Sequence, residues 1–194
     1  MKKIERVYRE ILYQVLEHKN WEFTQKSLSK RCNISIGNVN YALNTLERMN
    51  SIEKKPRKFI VLDVKKILIY WASLRKIEND IIYQTHSDEN IRTIENMMPP
   101  CLFTSYSAFK HRYGEPPAGY SEVYVYSKTL ELIKERFPLK KGKNNIFVLK
   151  TDFHLEKFKE VPIAQMYVDL WNMGTWYAQE FIRSLGVIID GILE

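Results

Sequence analysis

Two cysteines in 194 residues, Cys32 and Cys101, are too few and too far apart for a disulfide framework, which excludes the stapled secreted scaffolds and fits a reducing compartment. No Cys-x-x-Cys or His-x-x-x-His spacing occurs, and His18, His86, His111 and His154 stand singly, so no zinc site is expected. Long apolar runs are missing: the start Met1-Lys2-Lys3-Ile4-Glu5-Arg6 lacks an apolar signal core, and nothing reaches the roughly 20 residues of a bilayer-spanning helix. A soluble, cytoplasmic chain with no membrane contact is the expectation. Lys140-Lys141-Gly142-Lys143-Asn144-Asn145 lacks the glycine spacing and the following Ser/Thr of a phosphate-binding loop, and reads as a solvated turn. No cofactor is therefore expected. Repeats and low-complexity tracts are absent too, leaving a globular composition, 45% hydrophobic and 13% aromatic, that can bury a core.

Acidic residues are scarce only at the front. Residues 1–77 carry 17 Lys+Arg against 7 Asp+Glu, a net +10, whereas residues 78–194 carry 13 against 16, a net −3. A basic module joined to a near-neutral one fits a nucleic-acid-binding domain followed by an effector domain, because phosphate neutralisation needs cations on one face. The bland alternative is that the lysines only keep a small domain soluble.

Hydrophobic spacing predicts the elements. Ile4, Val7, Tyr8, Ile11, Leu12, Val15 and Leu16 recur at three and four residues and form one helical stripe to about His18. Trp21-Glu22-Phe23 suits a short strand. Thr24 is placed to cap a helix to Cys32, Asn33-Ile34 to break it, and Ser35 to cap a third helix, Ile36 to Met49. Ile36, Val39, Ala42, Leu43 and Leu46 are its inward positions, and Asn50-Ser51 its stop. Ile52 to Leu62 reads as two strands around a basic turn at Pro56, and Asp63 caps a helix to about Ile77. Beyond Glu78-Asn79-Asp80 the pattern alternates short strands (81–85, 101–104, 122–126, 146–149) with helices (88–98, 107–113, 129–137). Pro162 opens a helix to about Asn172, and Thr175 caps a last one through Leu185. The expected fold class is α+β, a winged helix-turn-helix in residues 1–77 followed by a small α/β domain with C-terminal helices in residues 78–194.

Helix, short strand, helix, tight turn, helix and basic hairpin is the order of a winged helix domain, whose third helix enters the major groove. Removing the inward stripe leaves Ser35, Gly37, Asn38, Asn40, Tyr41 and Asn44 as candidate base readers: Asn bonds adenine bidentately, Ser and Tyr reach base edges or phosphate, and Gly allows close approach. No Glu or Asp occurs from Ser35 to Leu46, unlike an ordinary solvated face of mixed sign. Lys26, Lys30, Arg31, Arg48, Lys54, Lys55, Arg57 and Lys58 are the candidate phosphate contacts. The partner expected is double-stranded DNA, with a homodimer on DNA left open.

The stretch Leu28-Ser29-Lys30-Arg31-Cys32-Asn33-Ile34-Ser35-Ile36-Gly37-Asn38-Val39 resembles the turn of bacterial and archaeal winged helix regulators. In the second half, Leu102-Phe103-Thr104-Ser105-Tyr106-Ser107-Ala108-Phe109, Glu122-Val123-Tyr124-Val125-Tyr126, and Val161 to Asn172 with its Tyr-Val-Asp-Leu-Trp run are similar to the AbiEi-type regulators, antitoxins of type IV toxin–antitoxin systems. Thr175 and Trp176 stand where that family has glycine and arginine. The resemblance implies a transcriptional regulator that represses its own operon and counteracts a toxin encoded nearby, without necessarily binding it.

Two alternatives stay open: a nucleotidyltransferase-fold relative with residual enzymatic activity, and a ligand-sensing regulator unrelated to toxin–antitoxin systems. Transferase chemistry needs two carboxylates one residue apart on a strand to hold the metal ions, and here the strand reads Glu122-Val123-Tyr124. No glycine precedes Ser105 either, so no catalytic residue is expected. Trp171, Trp176 and Tyr177 read as core aromatics, with a ligand pocket or partner surface as the other reading. The apolar tail from Gly186 to Leu193 packs on the body or on another subunit.

Overall fold

The computed structural model describes residues 2–194. Its first half runs α1 (Glu5–His18), β1 (Glu22–Phe23), α2 (Gln25–Cys32), α3 (Ile36–Arg48), β2 (Ile52–Lys55), β3 (Lys58–Val61) and α4 (Val64–Leu74). The second half runs β4 (Ile81–Thr85), α5 (Ile91–Met97), β5 (Leu102–Thr104), α6 (Ser105–Tyr113), β6 (Val123–Ser127), α7 (Leu130–Arg136), β7 (Ile146–Lys150), α8 (Ile163–Trp171) and α9 (Ala178–Leu193). Helix outweighs strand and the strands fall into two separate sheets, so the class is α+β.

Local chemistry sets the front elements. Thr24, Ser35 and Asp63 accept the backbone N–H three residues on and cap α2, α3 and α4. Asn33 and Asn50 take left-handed backbone, φ 51° and 52°, where α2 and α3 stop. Antiparallel β1, β3 and β2 form a sheet in that order, and Lys55 faces Lys58 across a two-residue turn in which Pro56 presets its own φ and Arg57 adopts φ 68°. Val39, Ala42, Leu43 and Leu46 of α3 are fully buried against α1 and α2, together with Leu28 and Cys32.

The second sheet has the order β4-β7-β6-β5, antiparallel at both edges and parallel between β6 and β7. Val123, Val125, Ile146 and Val148 point to one face, where Ile94 of α5 and Ile133 of α7 cover them. Tyr126 and Leu149 point to the other and join a core that runs without a break into α1 and α4. The joint is α8, whose residues from Ile163 to Leu170 are all buried as it packs on α1, α4, α6 and α9. Apart from Gln165 and Asp169 its side chains are apolar or aromatic all round, and such a helix is stable only inside.

A buried polar network crosses this joint. Arg9 of α1 donates to both Asp152 oxygens, 2.7 and 3.2 Å, and to Gln165 Oε1, 2.8 Å. Gln165 donates to Asp169 Oδ1, which also receives Arg75 Nε from the end of α4 at 3.2 Å. Asp169 Oδ2 accepts from Thr104 and Tyr126, 2.8 and 2.7 Å. Arg75 is closed on its other side by Asp80. Arg9 Nη1 also lies 3.3 Å from His154 Nδ1 and, being a donor only, makes that nitrogen an acceptor. His154 therefore donates from Nε2 to Glu10, 2.6 Å, and Glu10 accepts in turn from Arg31 of α2 at 2.9 Å.

Several expectations are corrected. α4 ends at Leu74, and Ile77–Asp80 is a 3-10 turn with Ile77 and Asp80 buried. Helices expected from Asp88 and to Phe137 are shorter, Asn90 capping the first, while α6 begins at Ser105. α9 does not stop at Leu185 but continues to Leu193, and Thr175 hydrogen-bonds Tyr106 instead of capping it. Trp171 and Trp176 are 43% and 76% exposed, so only Tyr177 of that aromatic trio is core. Ile36, expected inward, is 51% exposed on the first turn of α3, where it lines a hollow with the start of α2 and the β2–β3 hairpin.

Candidate nucleic-acid interface

Spacing on α3 decides which residues face out. With Val39, Ala42, Leu43 and Leu46 buried, the opposite stripe is Gly37, Tyr41, Asn44 and Arg48, at intervals of four, three and four, with Asn38 and Asn40 flanking it. Ser35, Gly37, Asn38, Asn40 and Tyr41 are exposed, Tyr41 at 67%. Asn44 is half-buried, and its Oδ1 accepts from Lys54 at 2.6 Å, which leaves its amide N–H groups to offer outward. Ser35 Oγ is already committed to the Asn38 backbone N–H at 3.2 Å.

The hairpin stands beside this helix, held by Lys54 pairing with Glu47 at 2.9 Å as well as with Asn44. Hairpin, the start of α2 and the start of α3 enclose a concavity of about 310 Å³ lined by Thr24, Gln25, Lys26, Ile36, Lys54, Lys55, Arg57, Lys58 and Phe59. Lys55 pairs with Glu53 at 3.3 Å and Lys58 with Glu22 at 2.7 Å, all on exposed side chains where water and salt compete. Arg57 at the tip, and Lys26 and Lys30 one turn apart on α2, stand outside any ion pair among the described residues. Arg48 folds back on its own helix, Nε donating to the Asn44 carbonyl at 3.3 Å.

The structure thus brings Lys26, Lys54, Lys55, Arg57 and Lys58 around one hollow next to the exposed end of α3, with Lys30 and Arg48 beyond it. Arg31 is turned the other way, pairing with Glu10 on α1 while its carbonyl accepts from Lys157 at 2.6 Å. Two residues join the surface that pattern reading left out. Gln25 reaches Asn40 Oδ1 at 3.4 Å, and its position directly after the Thr24 cap was the available signal. Ile36 adds an exposed apolar contact between the helix and the hollow.

In the second half, Glu122 is buried and accepts from the Tyr177 hydroxyl. Tyr124, two residues on, stacks on Phe147 with ring centroids 4.5 Å apart. Ser105 joins β5 to α6 in left-handed backbone, φ 54°. No group of three or more His, Cys, Asp or Glu side chains among the described residues is placed to share a metal ion, and no described helix is long and apolar enough to cross a membrane. Comparison with family models, with curated proteins and with solved structures finds no match to this chain.

Proposed function

We propose that the chain is a sequence-specific duplex-DNA-binding transcriptional regulator without enzymatic activity, its front segment a winged helix-turn-helix with α3 as recognition helix and the β2–β3 hairpin as wing. The observation that carries this reading is the outward stripe of α3, polar and free of acidic residues through Leu46, set beside a hollow rimmed by five cations. Asn, Tyr and Ser on such a helix read base edges, while the cations on α2 and the hairpin hold phosphates and fix register. The resemblance of the second half to AbiEi-type antitoxins extends the proposal to an autorepressor whose functional counterpart is a toxin encoded nearby.

The test uses the full chain, because α1 and α4 share their core with α8 and α9. Selection from random duplexes supplies a binding site, and Kd is then measured on it and on a scrambled duplex at several salt concentrations. Asn40→Ala should weaken the selected site by about 1–3 kcal/mol and the scrambled one little. Arg57→Ala should weaken both alike and reduce the salt slope by about 0.9. Failure of any sequence to enrich, or equal losses on both duplexes for Asn40→Ala, refutes base reading by α3.

A further inference from the structure

A cleft of about 340 Å³ opens on the second half where Leu102 at the start of β5, the end of β6, α7 and the segment from Thr151 to Phe158 meet. None of its lining residues belongs to α2, α3 or the β2–β3 hairpin. Its walls are mainly apolar, formed by Leu102, Leu132, Phe158 and the ring of Tyr126. The volume is at the small end of the range for ligand pockets, which suits a molecule of roughly ten non-hydrogen atoms.

Charge on the rim narrows the class. Lys128 and Glu156 both line the cleft and bind each other at 2.7 Å, so the rim is neutral as it stands. A ligand with net charge has to compete with that pair, whereas an uncharged one leaves it intact. Ser127 Oγ accepts the Thr129 N–H at 3.1 Å and lies 3.5 Å from Thr129 Oγ1, so one of these hydroxyls donates to the other and one hydroxyl hydrogen remains as a donor beside the apolar walls. We propose that this cleft binds a small, uncharged, mostly apolar molecule bearing one hydrogen-bond-accepting oxygen. Two of its walls are also joints of the molecule. Phe158 packs edge-on against Tyr13 of α1 at 4.6 Å and His154 at 5.1 Å, and Tyr126 receives Arg75 and donates to Asp169. A ligand there touches the residues through which the second half holds the first.

The probe is octan-1-ol, titrated into ¹⁵N-labelled full-length protein, with octanoate and octylammonium as charged counterparts. Direct binding is read, so the result is separate from the DNA-binding proposal. Saturable shifts confined to residues 100–102, 126–132 and 151–158 are expected, with octanol at least about tenfold tighter than either ion. Leu132→Trp, at a position 47% exposed on α7, should fill the mouth and weaken octanol by about tenfold or more with the rest of the spectrum unchanged. Lys128→Met leaves Glu156 unpaired and should turn the preference towards octylammonium. No saturation up to the solubility limit, shifts centred elsewhere, ions binding as well as the alcohol, or charge preference unaltered in Lys128→Met would each overturn the proposal.

Discussion

Asp169→Asn changes one atom of a fully buried side chain and tests whether the polar network holds the two halves together. The carboxylate accepts four hydrogen bonds, Arg75 and Gln165 on Oδ1 and Thr104 and Tyr126 on Oδ2. An asparagine keeps its oxygen towards Arg75 and Gln165, whose nitrogens can only donate there, and so must turn its amide towards the two hydroxyls. Thr104 can rotate to accept. Tyr126 cannot do so freely, because its oxygen already accepts from Arg75 at 3.1 Å and Gln165 at 3.2 Å. The bond to Arg75 survives, but removing the negative charge paired with this buried guanidinium costs about 1.5–3 kcal/mol and crowding one hydroxyl about 1 more, giving about 3 kcal/mol in all. Urea unfolding at pH 7 should show this as a lower midpoint at unchanged slope, and thermal unfolding as a drop of about 6–12 °C for a chain of this size. Glu180→Gln at the exposed Arg183 pair, the control, should stay within about 0.5 kcal/mol. If Asp169→Asn cost under about 1 kcal/mol, the network would not be what secures α8 to α4 and β6.

Acid should destabilise the protein in two stages. Burial, helped by the Arg9 charge, lowers the His154 pKa, so the unfolded chain takes up that proton first; the stabilisation is complete above about pH 6.5 and is lost as pH falls towards the folded value. Asp152 is half-buried, which alone would raise its pKa, but Arg9 and the Leu155 N–H hold it at about 2; its contribution, about 2 kcal/mol, is present above pH 4 and lost between about 4 and 2. Urea midpoints from pH 8 to 3 should decline accordingly, His154→Gln removing the upper stage and Asp152→Asn the lower, and a flat profile from 7 to 5 contradicts the His154 geometry. Burial pushes the thiols of buried Cys32 and half-buried Cys101 up to about 12, so iodoacetamide at pH 8 should label both far more slowly in the native protein than in denaturant, Cys32 the slower of the two. Native labelling at the rate of a free thiol would refute their burial.

The first half was legible because its determinants are local. A cap needs only a side chain and an N–H three residues away, and a buried stripe only the 3.6-residue period, so Thr24, Ser35, Asp63 and the inner face of α3 follow from the sequence alone. The same period gave the outward candidates on α3, though not that Lys54 would engage Asn44 or that Gln25 would reach Asn40, since both depend on how the hairpin and α2 lie against the helix. The last helix, expected to end at Leu185, runs on through Gly186 although glycine costs a helix interior about 1 kcal/mol, as Leu185 and Ile189 bury themselves against the body. Trp171 and Trp176 looked like core and are exposed, as hydropathy says what can be buried and only the neighbours decide what is. The strand order β4-β7-β6-β5, the buried bonds from Arg9 and Arg75 to partners 143 and 94 residues away, and the cleft beside Tyr126 belong wholly to the tertiary structure. No local rule pairs charges at such separations; they meet because α8 must bury every face, and its Gln165 and Asp169 then need partners from whatever packs around them.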